Sequence, residues 1–211
     1  SIRESLDSEE QRWFDYVVVS EIEHWYAGHV DDLAMATAYE GALSRGGDAV
    51  PTTGYGPFME DLASGLDIRL STKVTEVSHN SSGAIVTTES ESFEAASVVV
   101  TLPLGVLQSK TVKFSPELPY SQQVAVEGLG MGLMNKVVLE FEEPFWDVNK
   151  DLISYMPTNR GRFVEWYNAM PWTGKPILVG FNTADSAATI ETWSDASTLE
   201  ASLEVLSKMQ F

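Results

Sequence analysis

The chain has no cysteine, which excludes disulfides, thiolate metal ligands and thiol nucleophiles. It is also poor in positive charge, with 13 Lys and Arg against 31 Asp and Glu and a formal charge of −18. Nucleic-acid backbones are bound by clustered Lys and Arg, so no nucleic acid is expected as a partner, and a cationic one is favoured. Much of the acid, including Glu4, Asp7, Glu9, Glu10, Glu89, Glu91 and Glu94, reads as a solvated face. No apolar run is long enough to span a bilayer, so no membrane span is expected. The three histidines, His24, His29 and His79, do not converge with acids at ligand spacing, and no metal site is expected. There is no Gly-x-Ser-x-Gly elbow with an ordered His partner, which argues against a hydrolase. What is present is 211 residues at 44% hydrophobic content, enough for one large core or two modest ones.

From Asp7 to Ala27, Trp13, Phe14, Val17, Val18, Ile22, Trp25 and Tyr26 recur at helical spacing. A glycine-rich connection over Gly41 to Gly56 precedes a second helix, Pro57 to Ser64, with proline in its first turn. Strands over Ile68–His79, Ala84–Thr88 and Ala96–Leu102, joined at Asn80–Gly83 and Glu89–Ser92, form a meander. Pro119 opens a helix that Gly128 ends. Strands follow at Asn135–Phe141, Leu152–Met156, Arg162–Asn168 and Pro176–Asn182. Asp195 caps a last helix with Leu199, Leu203, Leu206 and Met209 in one stripe. The order gives an α+β fold: a mixed, mostly antiparallel sheet with flanking helices, plus a β-meander.

Two runs carry the chemistry. Thr101-Leu102-Pro103-Leu104-Gly105-Val106-Leu107 follows Val98-Val99-Val100, read as a buried apolar strand, and its Pro103 and Gly105 stop the ladder and turn the backbone. About thirty residues on, Asn135-Lys136-Val137-Val138-Leu139-Glu140-Phe141 places one Lys among apolar strand residues, ahead of Phe145-Trp146. A Lys there is paired, exposed or functional. Together the runs resemble the flavin-dependent amine oxidases, in the branch of the polyamine oxidases and lysine-specific histone demethylases. The similarity extends from about Ile22 to Phe211.

The resemblance implies FAD as cofactor and a small cationic amine as substrate, oxidised to an imine and then an aldehyde with release of hydrogen peroxide. It implies that residues 1–40 and 104–211 form a substrate-binding domain and 41–103 part of the FAD-binding domain. Lys136 would hold a water beside the reactive flavin nitrogen, with burial lowering its pKa. The plain alternative is a strand Lys whose head snorkels to solvent. Thr101, Leu102 and Pro103 would meet FAD through their backbone, and Val74 would pair with the adenine edge; for Val74 a sheet-core role is the alternative. Glu23 and His24 fall where relatives place a tunnel-wall Glu-Phe pair, so Glu23 would hold a distal ammonium, a contact worth about 1.5–3 kcal/mol when desolvated. His24 departs from the usual aromatic. For both, a solvated helix is the alternative. Trp166 and Tyr167 fall on a strand turned toward the substrate, where core packing is the alternative.

The Gly128-Leu129-Gly130-Met131-Gly132 run follows a helix and precedes a strand, the reverse of a dinucleotide loop, and reads as a turn with Gly132 near the substrate. The family's Gly-rich strand–turn–helix and its C-terminal flavin segment do not occur in this stretch, so the expectation is an internal piece of a longer chain. Its partners would include the remaining FAD-domain segments of that chain. Two other readings stay open: a non-catalytic binding module that keeps the fold, and a histone-lysine demethylase-like oxidase. The long helical insertion of the demethylases does not interrupt this stretch.

Overall fold

The computed structural model describes residues 2–34, 49–156 and 160–209. Residues 41–48 of the expected glycine-rich connection lie outside that set. The chain forms two bodies, residues 55–131 and residues 1–54 with 132–211.

In the body of residues 55–131, strands β1 (Val74–Asn80), β2 (Gly83–Thr88), β3 (Ser92–Ala95) and β4 (Lys113–Ser115) form a sheet ordered β3-β2-β1-β4. The three meander strands are antiparallel, whereas β4 pairs parallel to β1, the pairing that keeps residues 104–131 with this body rather than with the substrate domain expected to start at 104. The third meander strand lies earlier than expected. Thr88 Oγ1 accepts the amides of Ser90 and Glu91, closing a tight turn, so pairing with β2 begins at Ser92 and ends where Ala84 meets Ala95. Residues 98–102 are left beyond the end of β2, and Val99 and Val100 are exposed, not buried as the apolar run suggested. A helix covers Tyr55–Ala63, close to expectation, and another covers Tyr120–Gly128.

In the other body, β5 (Met134–Glu140), β6 (Leu152–Ser154), β7 (Glu165–Asn168) and β8 (Ile177–Thr183) form an antiparallel sheet ordered β5-β8-β7-β6. These four strands fall where the sequence placed them, with ends moved by up to a few residues. One face is the core: Val137, Leu139, Ile153, Trp166 and Leu178 pack with Trp146, Phe163, Ile190 and Leu206. Gly180 stands directly under Trp166, where a Cβ would come within 2.9 Å of the indole, so the indole lies flat only because that residue is glycine.

The N-terminal helix is interrupted. Asp7 caps Ser8–Val18 in a reciprocal box with Glu10, then a wider π-turn covers Val19–Glu23 and a last turn His24–Tyr26 ends at Ala27 in the left-handed conformation. The last long helix runs Asp195–Lys208, and its cap is Ser194, which accepts from the Ser197 amide, rather than Asp195. Its buried stripe is Ser202 and Leu206 with Ala201, Val205 and Met209 packed beside them, so Leu199 and Leu203 remain exposed, against expectation.

Candidate active site

Strand alternation sorts the expected residues onto two faces. In the second face of the β5–β8 sheet, Lys136, Phe181 and Glu165 occupy one cross-strand row, and Val138, Val179, Tyr167 and Leu152 the next. Trp166, between Glu165 and Tyr167, therefore turns into the core, where it is fully buried. The sheet brings Tyr167 to the face of Lys136 and takes Trp166 away from it.

Lys136 is exposed on this face, with Nζ 5.4 Å from the centroid of the Phe181 ring, within cation–π reach. Phe181 and Tyr167 meet edge to face with centroids 5.0 Å apart. The Tyr167 phenol is held above its ordinary pKa, first because it is partly buried and second because the Glu165 carboxylate lies nearby. It is a neutral donor at physiological pH.

The π-turn turns two consecutive residues inward. Glu23 is buried, and its Oε1 accepts from Arg160 Nη2 at 2.8 Å and from the Val30 amide at 3.2 Å. His24 is largely buried as well, with Nδ1 2.6 Å from Glu165 Oε2. Neither belongs to a solvated helix face. Glu165, which the sequence reading did not single out, is thus joined to His24 across 141 residues. A polar residue at 24, where an aromatic is usual, was the one local sign that a partner existed.

Gly132 packs against the end of the helix that carries His24. A Cβ there would lie 2.4 Å from the Ala27 carbonyl oxygen, which accepts from the Leu133 amide at 2.7 Å. The glycine fixes the start of β5 to that helix.

The main-chain residues expected to meet FAD belong to the other body. Val98 to Leu102 make no backbone hydrogen bond among the described residues, and Pro103 opens a short helix, Leu104–Gln108. Thr101 and Pro103 are exposed. The ladder of β1 with β4 starts only at Glu76, so β4 does not cover Val74. Free amide donors and carbonyl acceptors on one segment are the set that a dinucleotide's edges require, and these residues fit one. Among the described residues no group of His, Cys, Asp and Glu could hold a metal ion, and no helix is long and apolar enough to cross a membrane.

A family model for flavin containing amine oxidoreductase matches residues 6–211. Polyamine oxidase 4 of Oryza sativa subsp. japonica is 32% identical over 209 residues, covering 98% of this chain and 42% of that protein. Polyamine oxidase 2 of Arabidopsis thaliana is 37% identical over 84% of this chain and 36% of its own length. Lysine-specific histone demethylase 1 homolog 1 of Oryza sativa subsp. japonica is 34% identical over 97% of this chain and 25% of its own. Among solved structures, wild-type putrescine oxidase bound to putrescine superposes with a TM-score of 0.59 at 23% identity, over 71% of this chain and 33% of that one. The chain spans less than half the length of each of these relatives.

Proposed function

Since this chain belongs to the flavin containing amine oxidoreductase family, we propose that it is the central portion of an FAD-dependent oxidase acting on a polyamine or another cationic amine. The amine becomes an imine, which water hydrolyses to an aldehyde and a shorter amine, with hydrogen peroxide as the second product. FAD, when bound, would supply a hydride acceptor for the carbon beside the nitrogen and a route for the electrons to oxygen. The observation that carries the reading is the face on which Lys136, Phe181, Glu165 and Tyr167 stand together, a cation and a carboxylate bridged by aromatic rings.

Each of these side chains has work in such a site. Lys136 offers a compact positive charge where oxygen acquires negative charge, and its donors can hold a water. Phe181 and Tyr167 supply ring faces to a cationic amine. Glu23, with Arg160 as its counter-ion, contributes a charged wall to the same body. Thr101, Leu102, Pro103 and Val74 would hold FAD by main-chain contacts, completed by FAD-domain segments elsewhere in the full-length protein.

The test is Lys136→Met in that protein. The reaction with oxygen should slow about a hundredfold, the usual effect of removing one well-placed charge beside a developing anion, while reduction by the amine changes little. An unchanged oxygen step in stopped-flow traces removes Lys136 from the mechanism. A protein that carries no flavin absorbance, or whose flavin no amine reduces anaerobically, refutes the reading itself and leaves a binding module. The likeness to a histone demethylase homologue favours one further arm, in which a methylated lysine peptide replaces the polyamine as reductant.

A further inference from the structure

Lysines elsewhere in this chain find acids readily. Lys73, Lys110, Lys113, Lys175 and Lys208 each stand within 3.5 Å of a carboxylate oxygen, as a chain with 31 acidic residues makes easy. Among the described residues Lys136 has neither a carboxylate in ion-pair reach nor a hydrogen bond. What it has is the Phe181 ring, with Nζ 5.4 Å from the centroid.

A carboxylate nevertheless lies in its own row of the sheet. Lys136 pairs with Phe181 on β8, and Phe181 pairs with Glu165 on β7, so the cation and the acid start two strand spacings apart, about 10 Å. Lys and Glu side chains extended toward each other close such a gap, and their attraction is strong in a site from which water is excluded. They do not meet because a ring stands on the strand between them. Tyr167 meets that ring edge to face at 5.0 Å, which restrains its rotation, and His24 Nδ1 lies 2.6 Å from the Glu165 carboxylate.

The separation decides what charge Lys136 presents. An ammonium against a ring face keeps its full positive charge, because the ring contributes a quadrupole and no net charge. An ammonium in an ion pair presents a dipole, whose field falls off faster with distance.

The structure assigns Phe181 as the positioning residue of Lys136: it gives the ammonium a neutral seat and keeps Glu165 from neutralising it. This deepens the amine-oxidase reading and rests on it, since the free charge is needed where oxygen, on its way to hydrogen peroxide, gains electrons from the reduced cofactor ahead of protons. Phe181 acts on that step through Lys136, whatever it does for the amine.

The experiment uses the full-length flavoprotein, reduced anaerobically with dithionite and then mixed with oxygen, so that no amine takes part. Phe181→Leu keeps bulk between Lys136 and Glu165 but removes the ring face, and should slow the oxygen step about two- to fivefold, the worth of one cation–π contact. Phe181→Ala opens the row and should slow the step about tenfold or more, because Lys136 now pairs with Glu165. Adding Glu165→Gln to Phe181→Ala removes the anion and should return the rate to about the Phe181→Leu level, whereas adding Phe181→Ala to Lys136→Met should slow nothing further. A second readout needs no turnover. In protein labelled with carbon-13 at the lysine Cε, the resonance that disappears in Lys136→Met should carry the ring-current shift of Phe181 and lose it in Phe181→Leu. An unslowed Phe181→Ala overturns the assignment, as does a slowing that Glu165→Gln fails to rescue, or a Lys136 resonance indifferent to Phe181→Leu. If Lys136→Met itself leaves the oxygen step at the wild-type rate, the oxidase role of Lys136 fails, and the resonance still decides whether Phe181 seats the ammonium.

Discussion

Removing the counter-ion of Glu23 should destabilise the protein far more than removing Glu23's own charge. The carboxylate is 5% exposed and the Arg160 guanidinium 34% exposed, with the contact at 2.8 Å. In Arg160→Met the aliphatic stem is kept, and the buried carboxylate retains the Val30 amide at 3.2 Å, with His29 Nε2 4.0 Å away. Stranding one member of a fully buried pair costs about 3–5 kcal/mol; the guanidinium's partial exposure lowers that to about 2–3 kcal/mol. Glu23→Gln still accepts from the Val30 amide, and Arg160 keeps water and Asp15 at 3.9 Å, so its cost is about 1 kcal/mol. The double variant should be about as stable as Glu23→Gln alone, a coupling of roughly 2 kcal/mol. Urea unfolding of all four proteins at neutral pH, at constant slope, measures the cycle. Additive effects, or an Arg160→Met cost under about 0.5 kcal/mol, would show that the pair is solvated and the burial of Glu23 incidental.

Gly132→Ala drives a Cβ to 2.4 Å from the Ala27 carbonyl, backbone against backbone, and should lower stability by about 1–3 kcal/mol; a melting temperature equal to wild type would refute the contact. The Tyr167 phenol is raised above its ordinary value of 10.0 by burial and then by Glu165. The unfolded phenol therefore ionises first, and stability attributable to Tyr167 is intact below pH 10 and falls as pH rises above it. Ultraviolet titration against Tyr167→Phe should show one phenol titrating late, and earlier again in Glu165→Gln; an unshifted phenol contradicts the burial. Val99 is 87% exposed on an extended, unpaired segment, so Val99→Glu should leave the stability of this 211-residue chain within about 0.5 kcal/mol. In the full-length protein the same change should cost well over about 1 kcal/mol if FAD-domain segments cover that segment, and equal tolerance in both would remove them as partners.

The elements that announced themselves in the sequence were those whose pattern is local. The apolar runs in Asn135–Phe141 and around Trp166 placed the second sheet to within a few residues. The same alternation already separates Trp166 from Tyr167, because adjacent strand residues cannot share a face; grouping them as one substrate wall overlooked a rule the sequence itself supplies. The Val98–Val100 run misled for the opposite reason. An apolar triplet signals a strand that something buries, but whether the residues beside it provide the cover depends on where the preceding turn closes. Here Thr88 closes it early, and the triplet overshoots the end of β2. The last helix was misjudged by a smaller step. Leu199 and Leu203 fit a helical stripe, yet the stripe that meets Phe163 and Trp166 is anchored by Ser202 and Leu206, since small residues let the helix approach the indole layer.

The site divides along the same line. Lys136 was legible because a charged residue in an apolar strand contradicts its own pattern, and such contradictions concentrate where function overrides folding. Glu165 contradicts its strand just as much, lying between Val164 and Trp166, both buried. It escaped notice because acid is everywhere in a chain with 31 acidic residues, so one more carried no surprise. What distinguishes it is burial and its hydrogen bond with His24, which follows from the inward turn of residue 24 at the end of the π-turn. Hydrogen-bonded partners 141 residues apart leave no trace in spacing. A deviant residue at one position, such as a histidine in place of an aromatic, is therefore best read as a question about which other residue changed with it.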